Sequence, residues 1–326
     1  MAGGGQIWFN GRFVPAAQAV VPVTAHALHY GSSVFEGIRA YATGRGPAVF
    51  CLPQHVRRLY DSCRIFRIDL PYSPAQITAA IVDAVRTNGH ASCYIRPLVF
   101  RGPGTFGLDP RKASVEVAII TFPWGRYLGQ DAVEQGVDVM VSSWRRAAPG
   151  TAAPMGKIGG QYVTSQFIAM EAADHGFVEG IALDAQGFIS EGSGENVFVV
   201  KDGVAHTPPL SGAILPGVTR SVVLTLLSDV GVPVREEPLL REFLHVADEV
   251  FFTGTAAEVT PVRSVDRVPV GAGRRGPITA NIQEQFFGIT EGRLPDRHGW
   301  LTSAGAGAEA AAPVRGGAQS AAERTG

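Results

Sequence analysis

Lysine is almost missing from this chain: of 28 basic residues in 326, only Lys112, Lys157 and Lys201 are lysines. Cysteine is as scarce. Cys51, Cys63 and Cys93, with no CxxC spacing, exclude a disulfide framework and a zinc ribbon. Neither charge prevails, and a formal net charge of −1 leaves no electrostatic footprint for nucleic acid or an anionic membrane. No apolar run is long enough to span a bilayer. Residues 1–6 lack the basic-then-apolar signature of a signal peptide, so the cytoplasm is the expected location. There is no HExxH or HxxEH pattern, and His26 and His29 lack carboxylate company, so no metal site is expected. A GxSxG elbow, a Walker A loop and a GxGxxG turn after a strand are all missing, which weighs against hydrolases, NTPases and dehydrogenases.

What is present is an ordinary soluble composition, 45% hydrophobic and 17% charged, in a chain long enough for two domains with sizeable cores. The pattern predicts an α/β (α+β) fold. Residues 6–9 and 12–14 flank Asn10-Gly11, a strong hairpin signal. Residues 33–41 read as a strand interrupted at Glu36-Gly37, and 55–66 as a helix with Val56, Leu59, Cys63 and Phe66 on one face. Ser73-Pro74 caps a second helix that stops at Asn88-Gly89. Strands follow at 93–100 and 114–122. In the second half, 137–143, 180–183, 195–200, 204–207 and 247–252 read as strands, and 162–175, 216–230 and 277–288 as helices. These readings give a small N-terminal α/β domain at 1–128, a linker at 129–136 and a larger C-terminal domain at 137–302. From Ser303 the composition collapses into alanine, glycine and scattered polar residues. Such a stretch buries too little surface to offset ordering entropy, so 303–326 is expected to be a disordered tail.

The three lysines separate by context. Lys112 follows Asp109-Pro110-Arg111 in a polar loop, and Lys201 opens a Lys201-Asp202-Gly203 hairpin turn. A primary amine for covalent work on a carbonyl is therefore Lys157, in the glycine-rich run from Pro154 to Tyr162. Four further segments fit one chemistry, although each alone also reads as ordinary turn or surface structure. Between Ser190 and Asn196, Glu191 and Glu195 stand among small residues. A buried carboxylate facing a ring nitrogen keeps it protonated and turns a pyridine into an electron sink. From Leu215 to Arg220 a tight turn opens a helix, whose free amides and dipole suit a phosphate. Thr253 to Ala257 places amides and a hydroxyl at a strand end. In Gln54 to Leu59, one of Arg57 and Arg58 can reach inward to a phosphate.

Taken in order, these segments resemble the branched-chain amino acid aminotransferases of the class IV pyridoxal-phosphate family. The resemblance rests on Ile7 to Gly11, His26 to Arg39, Tyr94 to Pro97, Lys157 to Tyr162, Glu191 to Asn196, Pro216 to Arg220 and Gly254 to Glu258. It implies fold type IV, the D-amino acid aminotransferase-like architecture, with pyridoxal 5'-phosphate between the domains. It also implies a homodimer or higher homo-oligomer. Lys157 would carry the cofactor covalently and move the proton between substrate Cα and cofactor C4′. Glu191 matches the carboxylate at the pyridine nitrogen, Tyr162 the partner of the phenolic oxygen, and Leu215 a residue on the ring face. Arg58, Val218, Thr219 and Thr255 match the phosphate cup.

For the substrate, Tyr30, Phe35, Tyr94, Arg96, Trp124 and Tyr127 match pocket positions, with the amides of Thr255, Ala256 and Ala257 on the carboxylate side. The reaction implied moves an amino group from leucine, isoleucine or valine to 2-oxoglutarate. Two departures stand out. Gln161 replaces the family's usual asparagine, and residues 101–109 differ from its usual Gly-Met-Gly-Val type loop, so that Phe106 and Leu108 would narrow or reshape the pocket. Sister activities on the same fold are the alternatives: D-amino acid or (R)-amine transaminase, aminodeoxychorismate lyase, or an aminotransferase for a specialised substrate.

Overall fold

The structure, a computed structural model, describes residues 5–125, 128–129 and 131–305. Two sheets organise it. The first has eight strands, all antiparallel, in the order Leu301–Ser303, Gly46–Phe50, Ile38–Thr43, Cys93–Arg101, Val115–Phe122, Gln6–Phe9, Arg12–Pro15, with Ser33–Phe35 also paired to Cys93–Arg101. Asn10 and Gly11 make the hairpin turn at φ of +48° and +93°, the geometry that an Asn-Gly pair accepts at little strain. Helices Leu52–Ile65 and Pro74–Thr87 pack on this sheet through Leu52, Leu59, Ile77 and Ile81 against Ile38, Ile95 and Ile119. Ser73 closes a full capping box with Gln76.

The second sheet has nine strands and is mixed. Its path runs Ile189–Gly192, Glu179–Leu183, Val137–Arg145, Glu258–Val265, Glu249–Gly254, Asn196–Lys201, Val204–Thr207, Val234–Glu236, with Val268–Pro269 on the edge of Glu258–Val265. Both faces are covered. Along the central strands side chains alternate, so Phe252, Val199 and Val197 enter one core while Phe251 and Phe198 enter the other. The second of these cores is closed by helices Val218–Asp229 and Pro277–Thr290, and Phe50 and Trp300 from the first sheet's end join it.

Residues 33–41 form two strands rather than one. Ser33–Phe35 and Ile38–Thr43 both pair with Cys93–Arg101, and between them Glu36 N–H donates to Pro97 O at 2.9 Å. Six strands have no counterpart in the sequence reading: Gly46–Phe50, Ile189–Gly192, Val234–Glu236, Glu258–Val265, Val268–Pro269 and Leu301–Ser303. Gly46-Pro47 and Pro261 read as punctuation. Pro261 is tolerated because the parallel neighbour Val137–Arg145 starts its pairing only at Val262. The tail boundary expected at Ser303 falls on a paired residue: Ser303 stands opposite Ala48, and Ala304 is buried. Residues 306–326 lie outside the described residues. No helix among the described residues is long and apolar enough to cross a membrane.

Phe198 stacks on Phe251 at 5.1 Å inside the core beneath the strand that carries Asn196. Phe198→Ala should lower unfolding free energy by roughly 3–5 kcal/mol through the cavity it leaves; denaturant unfolding monitored by circular dichroism measures it, and a loss below about 1 kcal/mol would contradict this packing.

Candidate active site

A cleft of about 400 Å³ lies where the two sheets meet, and its wall includes Arg58 and Tyr94 from the first half and Lys157, Tyr162, Glu191 and Thr219 from the second. Lys157 is held by backbone. Phe35 N–H donates to Lys157 O at 3.1 Å, Val34 and Ile158 form an antiparallel bridge, and Lys157 N–H donates to Ser62 Oγ at 2.9 Å. The Nζ atom donates to Tyr162 Oη at 2.6 Å and lies 4.7 Å from the Phe35 ring centre. Tyr162 is the first residue of helix Tyr162–Asp174. Gln161, just before it, pairs its amide with both backbone groups of Ala153, at 3.2 and 3.1 Å. The unusual glutamine thus braces the loop that delivers the lysine.

Glu191 ends up buried at the end of the strand Ile189–Gly192. Its Oε2 accepts from Leu215 N–H at 3.0 Å and Asn196 Nδ2 at 3.1 Å, and its Oε1 meets Arg146 at 3.2 Å. Burial pushes its carboxyl up, against the opposing pull of Arg146. Arg146 donates also to Ser165 Oγ at 2.9 Å and Ser193 O at 3.0 Å, so one guanidinium joins the helix of Tyr162 to the strand of Glu191. Behind it, burial and the neighbouring Glu179 drive the Glu195 carboxyl well up.

Of the two adjacent arginines, Arg57 is exposed and Arg58 is buried. Arg58 makes a bidentate pair with Glu36 at 2.6 and 2.8 Å and donates to Pro216 O at 3.0 Å. His55 Nδ1 stands 2.8 Å from the same carboxylate, which makes it the protonated nitrogen. Burial lowers the His55 pKa more than Glu36 raises it. Burial alone would lift the Glu36 carboxyl, but Arg58 and His55 together hold it far below the usual carboxylate range. Across the cleft, Val218 and Thr219 begin helix Val218–Asp229. A side chain at Gly217 would meet Asn196 Oδ1 at 1.9 Å, so glycine lets the helix start approach Asn196, the first residue of Asn196–Lys201 and a hydrogen-bond donor to Glu191. Thr253 Oγ1, also on the cleft wall, is buried without a partner among the described residues.

Around the lysine, Phe35 packs edge-on to Tyr162 at 4.8 Å, the Arg96 guanidinium lies 4.8 Å over Phe35, and Trp124 packs on Tyr94 at 4.5 Å. Leu215, Thr255 and Ala256 line the cleft, and Ala257 is buried behind them. Tyr30 does not line it; its hydroxyl donates to Phe106 O at 3.0 Å on an exposed surface. Phe106 and Leu108, expected to reshape the pocket, are exposed on that surface and take no part in the cleft of their own chain. Tyr127 lies outside the described residues. Sequence reasoning passed over Glu36, Arg39 and Arg146, whose importance arises from contacts across the fold. The one local signal was the charged Glu36 breaking an apolar strand.

A family model for amino-transferase class IV matches residues 33–265. The chain belongs to the class IV aminotransferases. It is 52% identical over 296 residues to the branched-chain-amino-acid aminotransferase of Escherichia coli strain K12, covering 90% of this chain and 96% of that protein. With the same-named protein of Pseudomonas aeruginosa it shares 43% over 298 residues, 91% and 97% of the two chains. The crystal structure of the E. coli enzyme superposes with a TM-score of 0.91 at 51% identity, covering 92% of this chain and 99% of that one. The branched-chain amino acid aminotransferase of Thermobaculum terrenum, in its PLP form, gives 0.87 at 31%, covering 93% of this chain and 99% of that one. The fold is fold type IV, as the resemblance implies.

Replacing Glu36 by Gln leaves a buried guanidinium uncompensated and should cost roughly 3–5 kcal/mol at pH 7. The folded carboxyl sits below its unfolded value of about 4.3, so its contribution is complete above that pH and declines as pH falls. Urea unfolding should therefore show the gap between wild type and Glu36→Gln narrowing by roughly 1–2 kcal/mol from pH 7 to pH 3. A gap that widens on acidification would refute the assignment.

Proposed function

We propose that this chain transfers the amino group of a branched-chain L-amino acid, leucine, isoleucine or valine, to 2-oxoglutarate, giving the branched 2-oxo acid and L-glutamate, a step of branched-chain amino acid biosynthesis. The observation that carries this reading is the convergence of Lys157, Tyr162, Glu191 and Arg58 on one cleft, in a chain 52% identical to an enzyme of that name.

The donor set fits pyridoxal 5'-phosphate by its own chemistry. Lys157 offers the amine for an aldehyde, and Glu191 a buried, arginine-backed carboxylate for a pyridine nitrogen. Tyr162 suits the phenolic oxygen and Leu215 the ring face. Arg58, Thr255 and the amides of Val218 and Thr219 suit the phosphate, and Thr253 supplies a buried hydroxyl without a partner among the described residues. When bound, the cofactor supplies an electron sink that lets an amino acid release its Cα proton.

The chain's residues do the rest. Tyr162 Oη, 2.6 Å from Lys157 Nζ, keeps the amine aimed along the cleft, where it takes and returns the proton at substrate Cα. The amides of the Thr255–Ala257 turn receive the α-carboxylate. Phe35 and Tyr162 offer ring faces to a branched side chain. Arg96, whose buried Nε has no partner among the described residues, is the donor for the γ-carboxylate of glutamate, while its stacking on Phe35 keeps it flush with an apolar wall for leucine. Tyr30, with Leu28, Phe106 and Leu108, forms an exposed apolar surface apart from its own chain's cleft. That supports a homodimer in which a second copy covers the surface.

A panel of L-leucine, L-isoleucine, L-valine, D-alanine and an (R)-amine against 2-oxoglutarate tests the substrate reading. The branched L-acids should lead, and Lys157→Ala should show no steady-state turnover with any donor. Faster use of D-alanine or the amine would overturn the substrate while leaving the fold. Sedimentation of the full chain at micromolar concentration should give a dimer or larger; a monomer would remove the shared-surface reading.

A further inference from the structure

The turn Thr255–Ala257 joins Glu249–Gly254 to Glu258–Val265 at the cleft wall. Its carbonyl groups are all engaged by side chains. Arg39, from the strand Ile38–Thr43 of the other sheet, donates from Nε to Thr255 O at 2.9 Å and from Nη2 to Ala256 O at 3.2 Å. Thr260 Oγ1 donates to Ala257 O at 2.6 Å. The same Arg39 Nη2 reaches Gly125 O at 3.0 Å, where the chain leaves the first sheet. Glu258 faces Arg39 at 3.9 Å and accepts from Tyr41 Oη at 2.9 Å. It holds a φ of +57°, a conformation a non-glycine residue keeps only where its surroundings fix it.

In a trans peptide the N–H points opposite the C=O. Pinning the carbonyls of Thr255 and Ala256 onto Arg39 therefore turns the amides of Ala256 and Ala257 away from it. Neither amide has an acceptor among the described residues.

We propose that Arg39 is the positioning residue of the substrate carboxylate seat: its guanidinium, anchored in the first sheet, aims the Ala256 and Ala257 amides of the second into the cleft. This rests on the reading of that turn as the seat. An arginine is suited to it, since one planar fork can hold two carbonyls of a turn at once, whereas a lysine ammonium fixes neither direction. The seat is common to every amino acid and 2-oxo acid substrate, so its loss cannot discriminate among them.

The test compares wild type, Arg39→Lys and Arg39→Met, all loaded with cofactor, using inhibition by 4-methylvalerate and by its neutral primary amide. In Arg39→Met the inhibition constant of the acid should rise about tenfold or more, the scale of a charge-assisted hydrogen bond, while that of the amide stays within about twofold. Arg39→Lys should fall between, and it carries the comparison alone if the Met variant does not fold. KM for L-leucine and for 2-oxoglutarate should rise together with kcat changed less, and the affinity for pyridoxal phosphate, titrated by absorbance, should not move. Equal losses for acid and amide, a parallel fall in cofactor affinity, or a change confined to one substrate would overturn the proposal as mere loosening. A wild-type protein that binds the amide as well as the acid would instead overturn the seat itself.

Discussion

The cleft depends on a short antiparallel bridge between the two halves of the molecule. The Val34–Ile158 pairing and the Phe35 to Lys157 hydrogen bond fix the lysine to the first sheet, although it precedes a helix of the second. A flexible side chain on a loop would have to spend entropy reaching a defined position at each turnover. Here the backbone is already set, Gln161 braces the loop, and Tyr162 fixes the amine. The same logic recurs on the far side, where Gly217 permits the helix start to press against Asn196 and so against Glu191.

Electrostatics are arranged in layers. The charges on either side of the cleft have buried partners behind them: Arg58 has Glu36, and Glu191 has Arg146. Burying such pairs is costly unless their remaining hydrogen bonds are met. Pro216 O, His55, Leu215 N–H and Asn196 meet most of them, while Arg146 Nε is buried without a partner among the described residues. Burial and the neighbouring Glu179 both push the Glu195 carboxyl up, so a second negative charge beside Glu191 is disfavoured.

Much of this was legible in the sequence, for local reasons. Asn10-Gly11, the Ser73 capping box and the apolar face of the helix bearing Arg58 depend on neighbours a few positions away, and periodicity reports them. The lysine stood out by scarcity. Two of the strands that escaped notice carry Gly-Pro or an internal proline, acceptable only because of what lies beside them in space. Arg39 and Arg146 were equally silent. Each looks like a surface arginine until folding brings Thr255 to the one and Glu191 to the other. Phe106 and Leu108 were read as pocket residues from their place in a loop, and their exposure reflects a surface that a single sequence does not reveal.

The last described strand, Leu301–Ser303, completes the first sheet beside Gly46–Phe50, and Cys51 N–H donates to Trp300 O immediately before the helix that carries Arg58. The N-terminal sheet is therefore not a unit in the order of synthesis. A ribosome must release about 250 further residues before this helix gains its anchor. The helix that brings Arg58 to the cleft is thus tied to that late strand. A product cut short of Trp300 lacks both this hydrogen bond and the strand beyond it, at the start of the helix that brings Arg58 to the cleft.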